Sequence, residues 1–467
     1  MNHFLMADPE LSREESKQNY SALFNIALPI MMTNFLQTIY NLTDTYFLGK
    51  ISREAVGAPS ISFNIIFLLI LFSMGFTQAG RTLISQSIGK KDRSRAEFYL
   101  GQTAGIMVLA GVVLLPLFYF STPYILKLMA VPHEIFNDTS DYLRIVLYSL
   151  PLMLLSFALH GAQEGVGKSI IPLYINIVTI SINILLDWLL IFGIGPFPAL
   201  GVQGAAWATF IARIINALIA LALVLRPRDS ANTALTSIRL HMSNIYPDRN
   251  AWKLIVKIGL PSSLGHSASA LGFTVLQGVV NTYGTAVIAA FNLGSRIINL
   301  FMMPALGISQ AVAVLVGQNL GAKRKDLVFL TLRQALKTVF VLITLSMTIT
   351  FFYGNRVTGF FINDPEVIAW GKILFRLVSP SVIFFALFTV INGAFQGAGD
   401  TRPVAFLNTF RLWGLRLPIA FVLCILLGFG PEGIWYGMIG SNLFTALAGF
   451  YLILTRPWTE KLSPDQV

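Results

Sequence analysis

The stretch G-F-T-Q-A at Gly75–Ala79 returns as G-I-S-Q-A at Gly307–Ala311, 232 residues later. The same offset carries Pro29 onto Pro261, Gln86 onto Gln318 and Gly89 onto Gly321. Further along it carries Gly161, Ala162, Gly165 and Gly167 onto Gly393, Ala394, Gly397 and Gly399, then Asn176 onto Asn408 and Gly201 onto Gly433. An ungapped register over some 170 residues marks an internal duplication, so the fold is one architectural unit built twice. Matched glycines let helices approach closely, and Pro29 and Pro261 can bend the first helix of each copy. This shared set reads as architecture. Chemistry is sought where the copies differ.

The duplicated unit belongs in a bilayer. Of 467 residues 55% are hydrophobic and only 12% are charged, where soluble globular proteins carry roughly a quarter. Mean hydropathy is +0.69. Too few charges remain to cover a soluble surface, and too much apolar material is present for disorder. The single cysteine, Cys424, rules out an intramolecular disulfide and a cysteine-based metal site. Residues Met1 to Tyr20 are polar and lack the early apolar core of a cleaved signal peptide. The first apolar run is therefore expected to stay in the mature protein.

Twelve apolar runs are long enough to span a membrane. They cover about 22–48, 55–80, 98–120, 142–160, 170–193 and 201–225, then 254–280, 285–315, 334–353, 373–395, 403–428 and 433–455. The expected organisation is a cytoplasmic segment 1–21, a six-helix lobe 22–225, a linker 226–253, a second six-helix lobe 254–455 and a tail 456–467. With the N-terminus inside, 20 Lys+Arg fall on cytoplasmic segments and 5 on the other side. Under the positive-inside rule both termini face the cytoplasm. The net charge of +11 is then mostly topology and implies no nucleic acid. Six being even, the copies share one orientation. The expected fold is all-α, with two lobes related by a pseudo-two-fold axis along the membrane normal.

Of 22 acids, only Asp44 and Asp187 lie well inside spans. A carboxylate there costs a few kcal/mol and is a functional hypothesis by default. The second copy builds the same helices without them: Asp44 aligns with Leu276, Asp187 with Ile419 and Asn183 with Leu415. Asp44 precedes the helix end near Gly49, Asp187 the end near Gly193, and Ala205 and Thr209 follow the start near Gly201. At 1.5 Å per residue, all lie roughly 6–12 Å below the outer helix ends and can share one pocket. Gln37, Tyr40, Asn41 and Asp44 follow i, i+3, i+4, i+7 spacing on one face, and Asn176, Asn183 and Asp187 recur at seven and four residues. Such stripes line a cavity or a helix contact rather than lipid. Two neighbouring carboxylates repel unless a proton or cation intervenes. The donor set is hard oxygen, which suits H⁺ or Na⁺ and not a transition metal.

These residues, in this order, resemble the multidrug and toxic compound extrusion (MATE) family over nearly the whole chain. The resemblance rests on Gly75–Ala79, on Gly307–Ala322, on D-T-Y-F-L-G at Asp44–Gly49 and on N-I-L-L-D at Asn183–Asp187. It is completed by G-A-A-W-A-T at Gly204–Thr209 and G-A-G-D-T at Gly397–Thr401. It implies a cation-coupled exporter of organic, often cationic, compounds, working by alternating access without a cofactor. It further implies a monomer in a bacterial inner membrane, with Asp44, Asn183, Asp187, Ala205 and Thr209 as the H⁺ or Na⁺ site. Gln37, Tyr40, Asn41 and Asn176 would line the substrate cavity, and helix 1 would bend at Pro29. NorM-like members carry further acids on helices 7 and 10. Here those regions read His266-Ser267-Ala268-Ser269 and Phe385 through Asn392, which is closer to the DinF-like group.

Other readings carry less. A-Q-E-G-V-G-K-S at Ala162–Ser169 matches a phosphate-loop pattern but joins two spans and follows no strand. His160 reads as a helix-end histidine with proton relay as the alternative. Arg296, Arg411 and Arg416 read as helix-end or snorkelling residues, with contact to an anionic substrate as the alternative for Arg296 and Arg416. A lipid-linked oligosaccharide flippase of the same superfamily would show more basic cavity residues. An intramembrane prenyltransferase would need D-x-x-D motifs for Mg²⁺.

Overall fold

The computed structural model describes residues 12–226 and 238–460. The expected terminal segments and linker, 1–21, 226–253 and 456–467, lie partly outside the described residues. Among the described residues the regular secondary structure is all helical, without a strand. The helices are α1 (Arg13–Gly49), α2 (Arg53–Gly89), α3 (Arg93–Leu128), α4 (His133–Leu147), α5 (Leu150–Gly165), α6 (Ile170–Phe192) and α7 (Gly201–Leu225). After the linker come α8 (Arg249–Asn281), α9 (Thr285–Gly321), α10 (Lys325–Phe361), α11 (Pro365–Gly397), α12 (Thr401–Leu426) and α13 (Glu432–Thr455).

Local chemistry sets the helix ends. Ser12 and Glu15 form a capping box, Ser12 Oγ accepting from Glu15 N–H at 3.1 Å and Glu15 Oε2 accepting from Ser12 N–H at 3.1 Å. Asp92 caps α3 through Arg95 N–H at 2.9 Å, and Asp364 caps α11 through Glu366 and Val367. Gly193 closes α6 in the left-handed region, at φ 69°.

The twelve expected apolar spans are only partly found. Ten of these helices are long and apolar enough to cross a membrane, or eleven if α4 and α5, bent by 50°, count as one broken span. The shortfall is at α8, where Ser262, Ser263, His266, Ser267 and Ser269 dilute an otherwise apolar 33-residue helix. Large apolar side chains point outward, Leu128 at 89% and Phe360 at 83% exposure. A soluble protein would bury them; a helix facing acyl chains need not.

The duplication is visible in the backbone. Lys91 and Lys323 have φ of 62° and 59°, and Gly167 and Gly399 have φ of 91° and 76°, each pair at the repeat offset. A Cβ on Gly161 would meet Thr77, and one on Gly393 the equivalent Ser309; Gly165 and Gly397 lie likewise against the carbonyls of Arg81 and Ala313. The matched glycines are thus contact points where α5 crosses α2 and α11 crosses α9.

Packing yields two compact units: Met1–Met31 with Leu260–Val467, and Met32–Gly259. Both divisions fall inside helices, in α1 just after Pro29 and in α8 just before Pro261. In one unit Gly259 lies against the Gly75 carbonyl; in the other Gly307 lies against the Ala27 carbonyl, the equivalent pair by the repeat. The boundaries 22–225 and 254–455 follow the duplication, and the compact units follow packing. They differ by the N-terminal arms of α1 and α8. α1 itself runs unbroken through Pro29.

The C-terminal repeat departs from its twin in α12. Its counterpart α6 is a regular α-helix, whereas α12 contains two π-helical turns, Arg411–Arg416 and Val422–Leu426. Arg411 and Arg416 are 4% and 2% exposed, so the expectation that they snorkel or decorate a helix end does not hold. Arg296 is exposed. The phosphate-loop lookalike is the end of α5 and a turn through Gly167, between two helices.

Candidate functional site

The site is built within the unit Met32–Gly259 from α1, α6 and α7. Residues Asn183 and Asp187 are four apart and share the buried face of α6, 1% and 0% exposed. Gly204 lets α7 come against that face, since a Cβ there would sit 2.6 Å from the Leu190 carbonyl. The close approach places Ala205 and Thr209, 1% and 3% exposed, beside the α6 pair. From α1, Tyr40 and Asp44, again four apart, complete the cluster.

Its bonds are specific. Tyr40 Oη and Thr209 Oγ1 share a hydrogen bond of 3.0 Å. Asn183, with both amide groups satisfied, donates from Nδ2 to Asp187 Oδ2 at 3.0 Å and accepts at Oδ1 from the Thr209 backbone N–H at 3.3 Å. The helical partner of that N–H is the Ala205 carbonyl, by the i→i−4 rule. A donor shared in this way leaves the Ala205 carbonyl with acceptor capacity for a cation.

The carboxyl of Asp44 faces that of Asp187, with Tyr40 alongside. Asp44 Oδ1 and Asp187 Oδ1 are both buried without a hydrogen-bond partner. Two ionised carboxylates are acceptors only, so neither can satisfy the other. Such an acceptor pair in low dielectric calls for a proton or a small cation between its members. The site can therefore hold one H⁺, or one Na⁺ among the carboxylate, amide, hydroxyl and carbonyl oxygens.

Two neighbours escaped the sequence reading. Tyr142 on α4, 7% exposed, lies beside Thr209 and within electrostatic reach of both acids. Arg213 lies one turn beyond Thr209 on α7, acts electrostatically on Asp44, and donates from Nη1 to Ser149 Oγ at 3.3 Å. The i, i+4 spacing from Thr209 was the available signal for Arg213. Nothing in the sequence pointed to Tyr142.

Other expected residues are not drawn into the cluster. Gln37 and Asn41 are exposed on α1. Asn176 accepts at Oδ1 from Asn216 Nδ2 at 3.3 Å and donates to the Pro172 carbonyl at 2.9 Å, a tie between α6 and α7. Pro29 lies in the other compact unit. In the C-terminal repeat, Ser262, His266, Asn392, Gln396 and Asn408 are among the residues lining a small cavity that contains no acid.

The MatE family model matches residues 29–189 and 261–422, the two copies of the repeat. The chain belongs to the MATE family. A probable multidrug resistance protein YoeA of Bacillus subtilis is 27% identical over 97% of this chain and 97% of its own length. A probable multidrug resistance protein NorM of Thermotoga maritima is 26% identical over 97% and 96%. A MATE structure solved in a bent conformation shares the fold with a TM-score of 0.87, at 21% identity over 95% of this chain and 97% of that one. As a MATE-family protein the chain is a multi-pass membrane transporter and not an enzyme.

Proposed function

We propose that this MATE-family chain is a multidrug exporter driven by inward movement of H⁺ or Na⁺, acting as a monomer in a bacterial inner membrane with both termini cytoplasmic. The carrying observation is the facing pair Asp44 and Asp187, each with a buried unpartnered oxygen, in helices whose repeat copies hold Leu276 and Ile419. The names of its relatives as multidrug resistance proteins support the substrate class.

In this reading two six-helix lobes alternate access to the two sides. A cation taken up by Asp44, Asn183, Asp187, the Ala205 carbonyl and Thr209 removes the repulsion between the carboxylates. Helix α1 then settles differently against α6 and α7, with Pro29 as the place where it bends, and organic cations leave a cavity bordered by Gln37, Tyr40 and Asn41. Coupling is confined to the N-terminal repeat, a DinF-like arrangement, because α8 and the second half of α11 carry no acid.

The test is efflux of ethidium-like and norfloxacin-like compounds from vesicles under an imposed pH or Na⁺ gradient. Asp44→Asn is expected to abolish gradient-driven efflux while the protein stays folded and inserted. Undiminished efflux by that variant would remove the assignment.

A further inference from the structure

Arg411 and Arg416 are charges without counter-charges. Among the described residues no carboxylate lies within 4 Å of either. Both converge on a single neutral oxygen: Arg411 Nη1 donates to Asn442 Oδ1 at 3.4 Å and Arg416 Nη2 to the same atom at 2.8 Å. Arg416 Nε donates to Ser441 Oγ at 3.0 Å, while Arg411 Nε is buried with no partner at all. Each guanidinium also faces one aromatic ring. The Arg411 guanidinium lies 4.1 Å from the Phe385 ring centre, and that of Arg416 lies 5.6 Å from Phe273. Ring faces offer a cation only a fraction of a full counter-charge.

The local backbone makes this convergence. In a regular α-helix residues five apart point about 140° away from each other. The π-turn over Arg411–Arg416 replaces i→i+4 bonds with i→i+5 bonds, as the Leu417 N–H to Leu412 carbonyl bond shows, and so stacks residues five apart. π-bulges inside α-helices are frequent at functional sites. The repeat adds a second argument. Ser441 is the counterpart of Thr209, and Leu415 and Ile419 are the counterparts of Asn183 and Asp187. Among the described residues, one copy gathers two acids with no base within 4 Å, and the other gathers two bases with no acid within 4 Å.

We infer that Arg411, Arg416, Asn442 and Ser441 form an oxyanion-binding site in the C-terminal repeat, taking a carboxylate or phosphate group between the two guanidinium forks. Planar forks with free N–H donors match such oxygens bidentately. The ligand group is either part of a soluble organic acid or the headgroup of an anionic lipid. This site stands independently of cation coupling at Asp44 and Asp187.

The experiment uses the full chain in nanodiscs, in a low-salt zwitterionic buffer, with thermal unfolding as the readout. Benzoate and inorganic phosphate are titrated in phosphatidylcholine discs, and phosphatidylglycerol is introduced in a parallel series. Saturable stabilisation is expected, with the apparent affinity lowered at least tenfold in Arg411→Gln and Arg416→Gln and unchanged in Arg296→Gln. Asn442→Asp places a carboxylate between the two bases. It is expected to raise the unfolding midpoint and to abolish the anion response, so it carries the test even where the arginine variants fail to fold. A response to benzoate or phosphate identifies a soluble source; a response to phosphatidylglycerol alone, lost in the same variants, identifies a lipid. No response to any of the three, or a response retained in Asn442→Asp, overturns the site.

Discussion

Replacing Asp187 by Asn changes one charge and almost nothing else. The residue is fully buried, and the bond from Asn183 Nδ2 to Oδ2 survives, because an amide oxygen accepts as a carboxylate oxygen does. What disappears is one of two negative charges facing the coupling cation. At about 4 Å and an effective dielectric near 20, a carboxylate attracts a monovalent cation by about 4 kcal/mol. Water reaching half-buried Asp44 screens the pocket, so about 2–4 kcal/mol is the expected loss, or roughly 30- to 1,000-fold in cation affinity. The repulsion between the two acids disappears as well, so the cation-free protein gains stability. The expected outcome of Asp187→Asn is thus opposite in sign for two measurements. In proteoliposomes the driving-cation dependence of ethidium efflux weakens by those factors, while the thermal midpoint in cation-poor buffer rises. A variant with normal cation dependence refutes the reasoning. So does one that loses efflux together with stability, because that marks a structural hydrogen-bonded patch.

Four smaller outcomes follow from the packing. Tyr40→Phe removes the 3.0 Å bond to Thr209 and is expected to cost about 1 kcal/mol of stability, with cation dependence shifted less than about tenfold by the same energy; vesicle efflux and thermal melts check both. Gly393→Ala forces a methyl group against the Ser309 carbonyl, which cannot rotate aside, and should destabilise by about 1–3 kcal/mol. Gly278→Ala, in a helix with nothing within 4 Å of the added atom, should instead stabilise by about 0.5–1 kcal/mol; paired thermal melts decide. Asn176→Ala should cost about 1 kcal/mol through the lost tie to Asn216 and leave cation affinity untouched in a Na⁺ or pH titration, since it lies about 10 Å along α6 from Asn183.

The features legible in sequence are those written into residue type and spacing. A carboxylate inside an apolar run is conspicuous, and four-residue spacing puts Asn183 and Asp187 on one face before any coordinates exist. The duplication sharpened both by showing helices that do without them. Less legible was whatever depends on tertiary placement. Tyr142 lies on α4, which meets α5 at a 50° bend, whereas the apolar run 142–160 reads as one continuous span in the sequence. The stripe on α1 looked uniform, yet Tyr40 and Asp44 turn inward while Gln37 and Asn41 do not, since helical spacing sets a face but not its neighbours. The π-turns of α12 stayed hidden because one shifted hydrogen bond leaves the apolar composition of a span unchanged. The partners of the first arm of each repeat were equally silent: register tells which residues are equivalent, not which of them touch.

The exchange of arms between repeats sets a limit on how this protein can be dissected. A cut in the polar linker separates the two copies of the duplication cleanly by sequence, yet neither fragment would be whole. The first would keep Arg13–Met31, whose partners, such as Gly307, went with the second. It would lack the start of α8, whose Gly259 packs on its own Gly75. Each piece would carry one surplus arm and one vacant groove, so the halves are complements rather than modules, able to complete their packing only in each other's presence.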